Sequence, residues 1–183
     1  MPVIVSMLRG VNLGAHNRVK MDELRAVYTS LGLRDVQTYV QSGNVIFKTD
    51  KTGSALVRKI EDAIEGKFGF RCDVVTRTVA ELRTVVARNP FASRRDIEPG
   101  KLLVTFLADK PAGGGGERFR RLVSNCAEEV RLDARELYIY FPNGAGRSKL
   151  QWHALAQALG TTGTARNWNS VTKMLEMAHK LES

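Results

Sequence analysis

The chain has 183 residues, a formal net charge of +9, 43% hydrophobic content and 26% charged content. Those proportions exclude a disordered chain and fit one domain of ordinary size or two small ones. No apolar run approaches the roughly 20 residues of a membrane-spanning helix, so a membrane partner is not expected.

Residues 3–8 form a short apolar run with no basic stretch ahead of it, which reads as a first buried strand and not as a secretory leader. Met21, Leu24, Val27, Tyr28 and Leu31 recur at helical spacing, and Gly32 stops them. Residues 36–41 and 44–49 are β-rich and flank Ser42-Gly43, the pattern of a hairpin. Leu56, Val57, Ile60, Ala63, Ile64 and Phe68 define a second amphipathic helix closed by Gly69, and residues 72–76 a fourth strand. Thr78-Val79-Ala80-Glu81 is a capping box, which opens a helix that lasts until Asn89-Pro90.

Residues 91–100 are polar and turn-rich, with the length of a linker. The order then repeats. A strand spans 102–107, a glycine-rich turn 111–116, and a short helix carries Phe119, Leu122 and Val123. A hairpin comes next, at 129–132 and 137–141. Ser148-Lys149-Leu150-Gln151 reads as another capping box, opening a helix that ends at Gly160. A strand near 161–166 precedes a last helix with Val171, Met174, Leu175, Ala178 and Leu181 on one face.

The expected fold class is therefore α+β, with two ferredoxin-like βαββαβ subdomains, each followed by an extra helix. The expected boundaries are 1–90 for the first, 91–100 for the linker and 101–183 for the second. Right-handed crossovers make each sheet antiparallel. That topology sets the end of the first strand beside the hairpin of the next two. It gathers Arg9, Asn12, Ser42 and Asn44 around glycines that permit tight turns. Each of these side chains can hydrogen-bond a ligand, and the asparagines can equally satisfy turn backbone.

In the second half the polar residues lie at the opposite end of the sheet. Arg147, Ser148 and Lys149 lead into one helix, and Arg166, Asn167 and Trp168 into another, with Lys173 one turn further on. Free N–H groups and the positive dipole end at helix starts suit anions. The same residues also suit plain capping, with Trp168 stapling the helix entry.

Several stretches resemble an uncharacterised, largely bacterial family called domain of unknown function 1697. They are Leu8-Arg9-Gly10-Val11-Asn12, Lys20-Met21 with Leu24, and Thr38-Tyr39-Val40-Gln41-Ser42-Gly43-Asn44-Val45. Downstream, Arg147-Ser148-Lys149-Leu150 and Ala165-Arg166-Asn167-Trp168-Asn169-Ser170-Val171 are similar to it as well, so the resemblance spans nearly the whole chain. Ala15-His16 stands where the family has glycine and Ser170 where it has threonine. The resemblance implies a two-subdomain α+β fold and implies no activity.

Familiar catalytic signatures are absent. His16, His153 and His179 are scattered without metal-ligand spacing. There is no GxSxG, HExxH, Walker A or GxGxxG pattern, and no cofactor is identified. Cys72 and Cys126 form no CxxC pair and read as reduced thiols in a cytoplasmic protein. The leading expectation is a binding protein for a small phosphate- or carboxylate-bearing ligand. Nucleic-acid binding is an alternative that the positive charge allows, but no RNP pattern supports it. An enzyme with an Arg, Asn and Ser site, and a homo-oligomer joined through a strand edge, stay open.

Overall fold

The computed structural model describes residues 1–183. The apolar run at the start is β1 (Val3–Leu8), and all six of its residues are buried. A strand covered on both faces has no reason to alternate, and this one does not. After it come α1 (Met21–Ser30), β2 (Arg34–Tyr39), β3 (Asn44–Lys48), α2 (Gly53–Phe68), β4 (Val74–Thr78) and α3 (Val79–Ala87). The second series is β5 (Leu102–Leu107), α4 (Gly116–Ser124), β6 (Glu129–Asp133), β7 (Glu136–Tyr140), α5 (Trp152–Leu159), β8 (Gly163–Asn167) and α6 (Trp168–Glu182).

The strands form two four-stranded sheets, ordered β2-β3-β1-β4 and β6-β7-β5-β8. Every pairing is antiparallel. The protein is thus α+β, with the expected element order in both halves. Two compact units emerge, Met1–Thr84 with Lys173–Ser183, and Val85–Thr172.

In the first unit, α1 turns Leu24, Val27 and Tyr28 inward, and α2 turns Leu56, Ile60 and Ile64 onto the same core as Ile4, Leu8 and Phe47. Gly69 ends α2 at φ 77°, its N–H bonded to the Glu65 carbonyl at 2.8 Å. A side chain at that φ would be strained, so glycine is the natural stop. Burial pushes the Tyr28 hydroxyl well above its ordinary pKa. It meets Ser6 Oγ at 2.8 Å, and its ring meets Phe47 edge-on at 5.3 Å.

In the second unit, Leu155 and Leu159 of α5 and Phe119 of α4 share a core with Leu107, Leu137 and Ile139. Residues 91–100 are fastened to this unit. Phe91 is buried, its ring 6.3 Å from Tyr140, and Arg94 reaches Glu129 at 2.6 Å.

Three local expectations change. The strand expected at 36–41 runs Arg34–Tyr39, because Val40 takes φ 51° and leaves the ladder. The strand expected at 72–76 runs Val74–Thr78, so Thr78 both ends β4 and caps α3. The capping box at Ser148 does not form. Leu150 is buried in the core and holds its segment extended, and α5 starts only at Trp152. Ser148 Oγ instead accepts the Leu150 N–H at 3.0 Å, a local turn.

The halves repeat side-chain detail as well as order. Arg77 and Arg166 each stand fourth in the last strand of their sheet, and both are buried. Each guanidinium folds back onto the preceding carbonyl, Thr76 at 2.9 Å and Ala165 at 2.8 Å. The next residue caps the helix beyond it in both cases. Thr78 Oγ1 accepts the Glu81 N–H at 3.1 Å, and Asn167 Oδ1 accepts the Ser170 N–H at 2.8 Å.

Candidate functional site

The turn after β1 is built around Asn12, at φ 55°. Its Nδ2 donates to the carbonyls of Val19 at 2.9 Å and Gln41 at 2.7 Å, and its Oδ1 accepts the Val19 N–H at 2.9 Å. One side chain therefore closes the 12–19 loop and ties it to the β2–β3 hairpin. Asn44 is fully buried and donates to the Tyr39 carbonyl at 3.0 Å and to Ser42 Oγ at 2.9 Å. Gly43 sits between, and a Cβ there would come within 2.8 Å of Leu8 Cβ. Arg9 is exposed and pairs with Asp73 at 3.1 Å. Arg9, Asn12, Ser42 and Asn44 are thus gathered at one end of the first sheet, as the topology requires. The two asparagines direct their amides at backbone and at Ser42.

The second cluster divides. Arg166 pairs in register with Val104, on the sheet face opposite to Leu103, Thr105 and Leu107. It is buried there and donates to Thr164 Oγ1 at 2.7 Å. Asn167 caps α6, and Trp168 is the first residue of that helix. Lys173 lies further along α6 and reaches Glu176 at 2.9 Å. Arg147 and Lys149 instead border an open cleft of about 850 Å³ on the helix side of the second unit.

Four cationic side chains, Arg118, Arg121, Arg147 and Lys149, line this cleft, and Glu128 is the one acidic residue among them. α4 supplies half of that charge. Arg118, Arg121 and Leu122 line the cleft, at i, i+3 and i+4, with Asn125 just beyond the helix end. That spacing puts the first three on one helix face. The pattern is present in the sequence, but Phe119, Leu122 and Val123 mark α4 as a packing helix and mask its basic face. Arg118 donates to Gln157 Oε1 at 3.1 Å, and Arg121 stands 3.7 Å from Glu117, both at the surface. The floor carries Leu122, Leu150 and Leu155, which also belong to the core. Cys126 lies beside them, and burial pushes its thiol pKa up. An apolar floor beneath a cationic rim can hold an anion while excluding water from one side of it.

No group of His, Cys, Asp and Glu is arranged to hold a metal ion, and no helix is long and apolar enough to cross a membrane. The solved structure titled "The structure of conserved bacterial protein SP0830 from Streptococcus pneumoniae" is similar, with a TM-score of 0.68 and 20% identity. The alignment covers 97% of this chain and 98% of that one, and at this identity it shows the fold alone. No curated protein matches the chain. A family match covers residues 1–138, so it takes in the Asn12 turn and α4 but stops short of Arg147 and Arg166. The chain belongs to the family described as "Protein of unknown function (DUF1697)".

Proposed function

We propose that this protein binds a small anionic ligand, phosphate- or carboxylate-bearing, in the cleft beside α4. One observation carries the reading, the presence of Arg118, Arg121, Arg147 and Lys149 around a cleft of about 850 Å³ whose lining has one carboxylate, that of Glu128. Clustered cations over an apolar floor attract an anion more strongly than they would in open water, because the floor lowers the local dielectric. We also read each half of the chain as a ferredoxin-like βαββαβ series followed by a helix. The 2-3-1-4 order of each sheet supports that reading. The two free thiols suit a reducing cytoplasm.

Nucleic acid is less well supported. The ferredoxin-like RNA binders stack bases on exposed sheet aromatics. Here Phe47 is fully buried against Tyr28, and Tyr138 is buried with its hydroxyl donating to the Val85 carbonyl at 2.7 Å.

The test is thermal shift and calorimetry with pyrophosphate, simple carboxylates and acyl phosphates at millimolar concentration. A ligand at about 100 times its Kd stabilises by about 2.7 kcal/mol. Arg147→Gln with Lys149→Gln should abolish that gain while leaving the unliganded melting point within a degree or two. If no anion stabilises the wild type, the reading is wrong.

A further inference from the structure

The floor of the cleft and the hydrophobic core of the second unit are continuous. Leu122, Leu150, Cys126 and Leu155 line the cleft and pack within the core cluster of Leu137, Ile139 and Phe141. Whatever enters the cleft beyond its cationic rim therefore meets the edge of the core. Cys126 adds its sulfur to this surface, with Sγ 3.1 Å from the Val123 carbonyl and 3.5 Å from that of Glu128.

The lining also contains no aromatic residue. Phe119 and Trp152 each follow a lining residue in sequence, but Phe119 belongs to the core, Trp152 stands 6.2 Å from the Phe141 ring, and neither is among the lining residues. A nucleobase gains most of its affinity by stacking on an aromatic face, and this cleft has none to offer. An aliphatic chain needs only branched apolar surface, which Leu122, Leu150 and Leu155 supply. The cleft, at about 850 Å³, has room for more than a bare inorganic ion.

We infer that the ligand is an amphipathic anion, an aliphatic acyl carboxylate whose head lies among Arg118, Arg121, Arg147 and Lys149 and whose chain lies on Leu122, Leu150 and Leu155. The inference rests on the anion-binding reading and specifies its ligand class. Glu128 at the cleft wall repels a second carboxylate, which favours a single anionic head over a dicarboxylate.

The experiment is calorimetry on the full chain with acetate, butanoate, hexanoate and octanoate, beside phosphate and AMP. A fully buried methylene is worth roughly fourfold in affinity, and about twofold is expected in a cleft open on one side. Octanoate should therefore bind at least tenfold more tightly than acetate. It should also slow maleimide labelling of Cys126, whereas acetate should not. Leu122→Asn should flatten the chain-length series and keep the weak binding of acetate. The wild-type series and the labelling protection read the same property without any variant. Equal affinity along the series, or AMP or phosphate binding more tightly than octanoate, overturns the acyl inference and leaves anion binding standing. Failure of every anion, octanoate included, removes both.

Discussion

Asn12 combines a left-handed backbone with three hydrogen bonds to main-chain groups of two other segments. Removing its carboxamide leaves the Val19 and Gln41 groups without those partners. Asn12→Ala should destabilise the protein by about 1–3 kcal/mol in urea unfolding, and Asn12→Asp, which sets an acceptor-only carboxylate oxygen against the Val19 and Gln41 carbonyls, by at least as much. Gly43→Ala adds a Cβ 2.8 Å from Leu8 Cβ at φ 77°. Overpacking and the left-handed φ act together, and about 2–4 kcal/mol is expected in the same measurement. Glu176 responds to pH. Its carboxyl, hydrogen-bonded first by Lys180 and then by Lys173, is pulled down to about 2. A depressed folded pKa stabilises fully above the ordinary carboxylate range, and that contribution is lost as pH falls toward about 2. A carboxyl NMR titration should place the midpoint near 2 in the wild type and close to the ordinary value in Lys180→Gln with Lys173→Gln.

Helix starts separate two serine and threonine motifs that look alike on paper. Thr78-Val79-Ala80-Glu81 forms a reciprocal box, with the Thr78 N–H donating to Glu81 Oε2 at 2.8 Å and the Glu81 N–H to Thr78 Oγ1 at 3.1 Å. Thr78→Ala should cost about 1 kcal/mol. Ser148-Lys149-Leu150-Gln151 follows the same pattern of Ser or Thr with Glu or Gln three residues on, yet Ser148 only closes a turn onto Leu150. Ser148→Ala should change stability by no more than about 0.5 kcal/mol. Far-ultraviolet circular dichroism during urea unfolding distinguishes the two. The motifs differ in the packing demands on their next residues. Val79 enters the helix directly from β4, whereas Leu150 must first reach the core and the helix waits until Trp152. That choice also sets Arg147 and Lys149 on the cleft rim.

For the whole molecule, the last residues belong with the first sheet. Lys173–Ser183 group with Met1–Thr84, and Arg83 of α3 donates to His179 Nε2 and Glu182 Oε2, each at 2.6 Å. Deleting residues 173–183 should accelerate hydrogen exchange in β1 and β3 more than in β5 and β7. Equal loss in both sheets, or greater loss in the second, would contradict that grouping.

Most of the element order was legible because it depends on local signals. Gly69 and Gly160 both stop their helices in the left-handed conformation, and α2 shows its inward face every three or four residues. Strand ends were less legible, since Val40 leaves its ladder through a backbone conformation that a β-branched residue rarely adopts. The clustering of Arg9, Asn12, Ser42 and Asn44 stems from topology, but the bonds that direct the asparagines at backbone are tertiary.

By itself, then, the sequence determined two repeats of one α+β series, the helix stops, the Thr78 cap and the family, because periodicity, capping and turn chemistry act over a few residues. Only the tertiary structure decided that Arg166 is buried on the opposite sheet face from the cleft. It alone brought Arg118 and Arg121 of α4 beside Arg147 and Lys149. A cluster joined across some 30 residues of intervening chain depends on how helices pack on a sheet, and no local pattern encodes that.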